Sequence, residues 1–198
     1  MKQVGVVVEG PSDAMFWERL LGSRFSQDGY TFRIRIMKGG NRVIQESPDL
    51  TDDFRKAKYH SAIIILDADK SPCASGILEQ FDRNFLAEAR HQPPTERFAQ
   101  IFVARRELES WVLADPDCIR NLLGREDYSV TSAETSAAGK AKFLRLCRAS
   151  GMFLAGLEDL ECARQAARHF APERAIRNSP SFAYFWSRLV ARLTPTSQ

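Results

Sequence analysis

The chain has 198 residues, 44% of them hydrophobic and 27% charged, enough to bury the core of one sizeable domain. No apolar run is long enough to span a bilayer, and the N-terminus enters a strand without a basic-then-apolar leader, so the chain is read as soluble and cytoplasmic with no membrane partner. Four scattered cysteines without a Cys-x-x-Cys pair indicate reduced thiols, with neither a zinc site nor a disulfide framework, and the net charge of +3 is too small to require a polyanion, although most basic residues are Arg, which suits phosphate.

Val4 to Val8 is an apolar, β-branched run that ends at Glu9-Gly10-Pro11-Ser12-Asp13 before a helical pattern begins. Gly10 permits a tight turn, Pro11 fits a helix start, and Ser12 or Asp13 can cap the first turn. Phe16, Trp17, Leu20 and Leu21 recur at helical spacing, with Gly22 as the expected stop. Glu9 thus stands at the carboxyl end of the first strand. Asp13 follows in the first helical turn, where it either caps or faces the same cleft.

Tyr30 to Ile36 alternates apolar and polar residues, the pattern of a half-exposed strand toward a sheet edge. Lys38-Gly39-Gly40-Asn41 reads as a basic loop, able to approach a phosphate or simply to turn. A loose helix around Leu50, Phe54 and Ala57 follows.

Ala62 to Asp69 joins a buried apolar run to two carboxylates one residue apart. The period of two sends Asp67 and Asp69 to one side, where their charges repel unless a cation neutralises them. Carboxylate oxygens with no nearby His or Cys suit Mg²⁺ or Mn²⁺ better than Zn²⁺. Asp is also a common cap and turn residue, so a purely structural role stays open.

Ile77, Leu78, Phe81, Phe85 and Leu86 mark the next helix, which Pro93-Pro94 ends, and Phe98 to Ala104 is a fourth strand. After Arg105-Arg106, Leu108, Trp111 and Val112 share a helical face flanked by Glu107 and Glu109, and periodicity does not choose between the two acids. Asp115-Pro116 caps a further helix through Leu123. This alternation predicts an α/β fold, an open and mostly parallel sheet with helices on both faces, whose carboxylates converge beyond the carboxyl ends of the strands.

Residues 1–127 are expected to form that core. From Tyr128 to Gly139 the composition is linker-like, and 128–198 reads as a C-terminal helical extension packed on the core. Lys140 and Lys142 open a short helix at Phe143 to Arg148, followed by helices from Leu157 to Phe170 and Phe182 to Leu193. Ser179 caps the last of these, and Phe182, Phe185, Trp186 and Leu189 form its buried side.

Glu9-Gly10 and Asp67-Ala68-Asp69 resemble the two signature motifs of the TOPRIM domain of topoisomerases, bacterial primases and overcoming-lysogenization-defect type nucleases. Glu9 to Asp13, Glu107 to Asp115 and Ser179 to Phe182 are similar to a stand-alone TOPRIM-like bacterial family often encoded beside an ATPase. The resemblance implies that Glu9 acts as general acid or base and that Asp67 and Asp69 hold Mg²⁺ or Mn²⁺. It implies a second metal at Asp13 and Glu109, with Glu107 in reserve, although the nuclease branch usually has Glu where Asp13 stands. No topoisomerase-type domain with a nucleophilic tyrosine fits in 198 residues, so strand passage is not expected.

The expected activity is a metal-dependent phosphodiesterase on DNA or RNA, in a bacterial defence system with an ATPase partner, with Lys140 or an Arg steadying the transition state. The rivals are an inactive TOPRIM-like module that docks to the ATPase and a small-substrate phosphatase or nucleotidase using the same ions. Oligomeric state is not readable from the sequence.

Overall fold

The computed structural model describes residues 1–68, 74–85, 97–104, 107–124, 126–130, 139–149, 151 and 158–194. Four parallel strands, β1 (Lys2–Val8), β2 (Tyr30–Ile36), β3 (Ser61–Asp67) and β4 (Ala99–Ala104), form one sheet in the order β2-β1-β3-β4. The register pairs Val8 with Ile36, Val6 with Ile63 and Asp67 with Ala104. β1 from Val4 to Val8 and β3 from Ser61 to Leu66 are buried throughout, as apolar runs in a parallel sheet require. β2 lies at an edge and carries the expected alternation, with Arg33 and Arg35 exposed.

The crossovers place α1 (Pro11–Phe25) on one face of the sheet and α2 (Gly40–Lys56) and α3 (Ala74–Phe85) on the other. Val4, Val6, Val8, Ile63 and Ile65 point into the first layer, and Val7, Ala62, Ile64 and Leu66 into the second. Gly5 is required beneath α2, because a Cβ there would overlap the Phe54 ring. The larger core also takes in α4 (Leu108–Leu113), α5 (Pro116–Leu123), α6 (Gly139–Ala149), α7 (Glu158–His169), α8 (Pro172–Ala175) and α9 (Pro180–Leu193).

An aromatic seam joins these helices to the sheet. Trp111 of α4 stacks on Phe185 of α9 at 5.1 Å between centroids, and Phe185 meets Trp17 of α1 edge-on at 5.1 Å. The indole N–H of Trp111 donates to Ser181 Oγ at 2.8 Å, while Ser179 Oγ accepts from the N–H of Phe182 at 3.2 Å and caps α9. Phe182, Phe185, Trp186 and Leu189 are buried, as expected of that helix's inner side.

Three local expectations are corrected. Gly22 does not end α1, which runs to Phe25, because Phe25 is buried against Phe32 and Trp186 and its burial outweighs the one glycine. The loop after β2 is shorter than expected, with α2 starting at Gly40 and carrying Pro48 inside it. Leu78 lies on the exposed side of α3, whereas Phe81 is buried. Leu86, Pro93-Pro94 and Cys73 lie outside the described residues; Cys118, Cys147 and Cys162 are buried.

Candidate functional site

The chain runs from β1 outward to β2 and then returns to β3 on the other side of β1, so the sheet's topological switch lies between β1 and β3. Ligand crevices in open parallel sheets form there, beyond the strands' carboxyl ends. Glu9 follows β1, and Asp67 is the last residue of β3. The two face one another across the switch: the N–H of Asp67 donates to Glu9 Oε1 at 2.9 Å.

Further amides anchor the other acids. Asp67 Oδ1 accepts from the N–H of Leu108 at 2.9 Å, so a β3 carboxylate caps the start of α4. Asp13 Oδ2 accepts from the N–H of Gly10 at 2.8 Å, the reach-back half of a capping box, with Gly10 as the N-cap residue of α1. Glu107 Oε2 accepts from the N–H of Lys140 at 2.6 Å, joining the start of α6 to the start of α4. Gly139 is forced by this junction, where a Cβ would collide with Ser110 Oγ and come within 3.2 Å of Glu107 Oε2.

Glu9, Gly10, Asp13, Asp67, Glu107 and Lys140 border a cleft of about 530 Å³ that also takes in Glu109, Asp159, Lys38 and Gly39. Lys140 Nζ lies 3.3 Å from Asp159 Oδ2 and 4.0 Å from Glu109 Oε1. Burial disfavours the Lys140 ammonium, but Glu109, Asp159 and Asp13 more than offset it and hold its pKa above the ordinary value. Glu109 has 12% of its side chain exposed, and burial raises its pKa to about 7, with Lys140 pulling it down and Asp13 and Glu107 pushing it up.

The structure therefore brings Glu9, Asp13, Asp67, Glu109 and Lys140, together with Glu107, to one cleft. Asp69, expected beside Asp67, lies outside the described residues. Asp159 carried no sequence signal: it lies in the first turn of α7, where acids are ordinary helix-start residues. Among the described residues no three His, Cys, Asp or Glu side chains form a group able to hold an ion. The donor set itself, all carboxylate oxygen, is of the kind that hard divalent cations take.

The sequence matches a family model described as "Domain of unknown function (DUF4276)" over residues 8–190. No curated protein matches it. Among solved structures, the C-terminal region of the Burkholderia pseudomallei OLD protein is similar at 13% identity and a TM-score of 0.47, covering 94% of this chain and 98% of that one. A likeness at that level does not extend to activity.

Proposed function

The chain belongs to the DUF4276 family, and on the geometry of its cleft we propose that it is a TOPRIM-type, divalent-metal-dependent phosphodiesterase acting on DNA or RNA. The observation that carries the reading is the Glu9–Asp67 pair, joined through an amide across the switch point, in a cleft with four further carboxylates, those of Asp13, Glu107, Glu109 and Asp159, and with Lys38 and Lys140. Glu9 and Asp67, completed by Asp69, would hold one Mg²⁺ or Mn²⁺ ion, and Asp13 and Glu109 a second. Such ions polarise a phosphoryl oxygen and lower the pKa of bound water.

The chain's own groups supply the rest. Glu9, fixed by the amide of Asp67, accepts or returns a proton at its carboxylate. Burial raises the pKa of Glu109 to about 7, so binding of the second ion there would release a proton from it. Lys140, held cationic by three carboxylates, places a positive charge in the cleft for a phosphate oxygen. The bacterial defence setting and the partner ATPase rest on the motif resemblance and form part of the proposal.

The test is cleavage of single- and double-stranded DNA and RNA by the purified chain. Turnover is expected with Mn²⁺ or Mg²⁺ and not with Ca²⁺, and Glu9→Gln should abolish it while nucleic-acid affinity is retained. Undiminished cleavage in excess chelator would sink the reading. Absence of cleavage with every metal, with or without an ATPase partner, would favour a docking module.

A further inference from the structure

Several helix arginines are neutralised by their own neighbours: Arg42 pairs with Glu46, Arg55 with Asp52 and Arg164 with Glu161. The edge strand β2 is different. Arg33 and Arg35 project from one face of it, both exposed, and among the described residues neither has a carboxylate within ion-pair distance. Two adjacent unpaired guanidinium groups repel one another, so the arrangement is stabilised when an anion covers it.

The line of charge continues at both ends of β2. Lys38, two residues beyond the strand, lines the carboxylate cleft. At the opposite end, Lys2, Lys58 and His60 line a second depression of about 620 Å³. Its wall includes Thr31, on the same face of β2 as Arg33, and no carboxylate. Lys2 and Lys58 likewise make no ion pair among the described residues, and Lys2 Nζ sits over the Tyr30 ring at 5.4 Å. The pKa of His60 is lowered chiefly by burial, with a smaller contribution from the positive charges of Lys2 and Arg192.

We propose that this border of the sheet is a track for the phosphate backbone of a nucleic-acid strand, running from Lys2 and Lys58 past Arg33 and Arg35 to Lys38 at the cleft. The identity of the polyanion rests on the phosphodiesterase reading; the track itself rests on the placement of the unpaired cations. Seven residues of strand at about 3.3 Å each spread these charges over roughly 20 Å, long enough to contact several consecutive phosphates. The track delivers the strand to the carboxylate cleft by its Lys38 end and contacts no base edge in doing so, so it binds without reading sequence.

The experiment is fluorescence anisotropy of single-stranded DNA and RNA oligonucleotides in metal-free, chelator-containing buffer over a range of salt. Arg33→Gln/Arg35→Gln should weaken binding and reduce the log–log salt slope by about 1.4, at roughly 0.7 for each lost single-strand contact. Lys2→Gln/Lys58→Gln should act in the same direction. Arg42→Gln/Arg164→Gln lowers the net charge equally but removes cations already paired with Glu, and should leave the slope unchanged. An equal loss in this control, or an unaltered slope in both track variants, overturns the proposal. So does self-association of Arg33→Gln/Arg35→Gln at undiminished affinity, which would make the arginines guards of the sheet edge instead. Binding is read without metal, so a failure to cleave once Mn²⁺ or Mg²⁺ is supplied, with the slope change intact, counts against the phosphodiesterase reading alone.

Discussion

The backbone N–H of Lys140 donates to Glu107 Oε2 at 2.6 Å across 33 residues of sequence, so Glu107 serves as a cap for α6. Glu109, two residues on, instead presents a nearly buried carboxylate to the cleft, beside Lys140. The two acids that periodicity leaves equivalent thus have different work, and substitution separates them. Glu107→Ala should lower stability by about 1 kcal/mol, the usual loss of a helix cap, and Glu107→Gln, which keeps an acceptor oxygen, should restore it. Glu109→Gln should leave α6 seated and reduce the Mn²⁺-induced rise in melting temperature. Thermal melts of the three variants with and without Mn²⁺ check this; a metal shift lost in Glu107→Gln and kept in Glu109→Gln would reverse the assignment.

Glu109 also predicts a pH dependence. Its folded pKa of about 7 lies above the ordinary 4.5, so between those values the unfolded chain has released a proton that the folded chain keeps. Stability therefore falls as pH rises through that window, by on the order of 3 kcal/mol from this group. Denaturant melts from pH 5 to 8 should show the decline in the parent and a flatter profile in Glu109→Gln. A bound cation favours the ionised form, so Mn²⁺ should stabilise the parent more at pH 8 than at pH 6.

Asp67→Asn tests the metal directly. The amide oxygen can still accept the Leu108 N–H, so metal-free stability should change little. Mn²⁺ at one hundred times its dissociation constant should stabilise the parent by about 2.7 kcal/mol and the variant far less. Equal shifts in the two proteins would remove Asp67 from any metal site.

Gly139→Ala should be costly despite its small size. The added methyl meets Ser110 Oγ, whose residue is 2% exposed, and the Glu107 carboxylate. Overpacking of this kind costs about 1–3 kcal/mol, and it displaces the start of α6, which carries Lys140. A variant with parental stability and metal response would show that the junction yields easily.

Asp115 anchors the C-terminal helices. Fully buried, it accepts from the N–H groups of Cys118 at 3.1 Å and Ala171 at 2.8 Å, and from Arg174 at 2.7 and 2.9 Å. Asp115→Ala leaves those donors without their acceptor and should cost about 3–5 kcal/mol, read as a large drop in the urea midpoint.

Much of this architecture is legible in the sequence because the central strands β1 and β3 are written as unbroken apolar runs, while the edge strand β2 is written as an alternation. Glu9 just past β1 and Asp67 at the end of β3 are legible for the same reason. Nothing local announces that Glu107 reaches Lys140 or that Asp115 binds Arg174, since both partners arrive from distant segments. Gly22 misleads because a glycine stop is worth less than the burial of Phe25 beyond it. Trp111 and Ser181, each within a motif stretch, turn out to bond to one another and to hold the aromatic seam together. Their signal is real, and its meaning is packing.

The absent side chain of Gly5 sets the standoff between sheet and helix, because the Phe54 ring rests where a methyl would be. Phe54 and Gly40 lie near opposite ends of α2, roughly 20 Å apart along a helix that carries Pro48 between them. Gly40 abuts the Glu9 carboxylate, which would stand only 3.2 Å from a Cβ there. A methyl at residue 5 would therefore have to displace Phe54, which belongs to the same helix whose first residue abuts Glu9. The seat of that helix is gauged by an atom the chain does not have, on the far side of the sheet from α1.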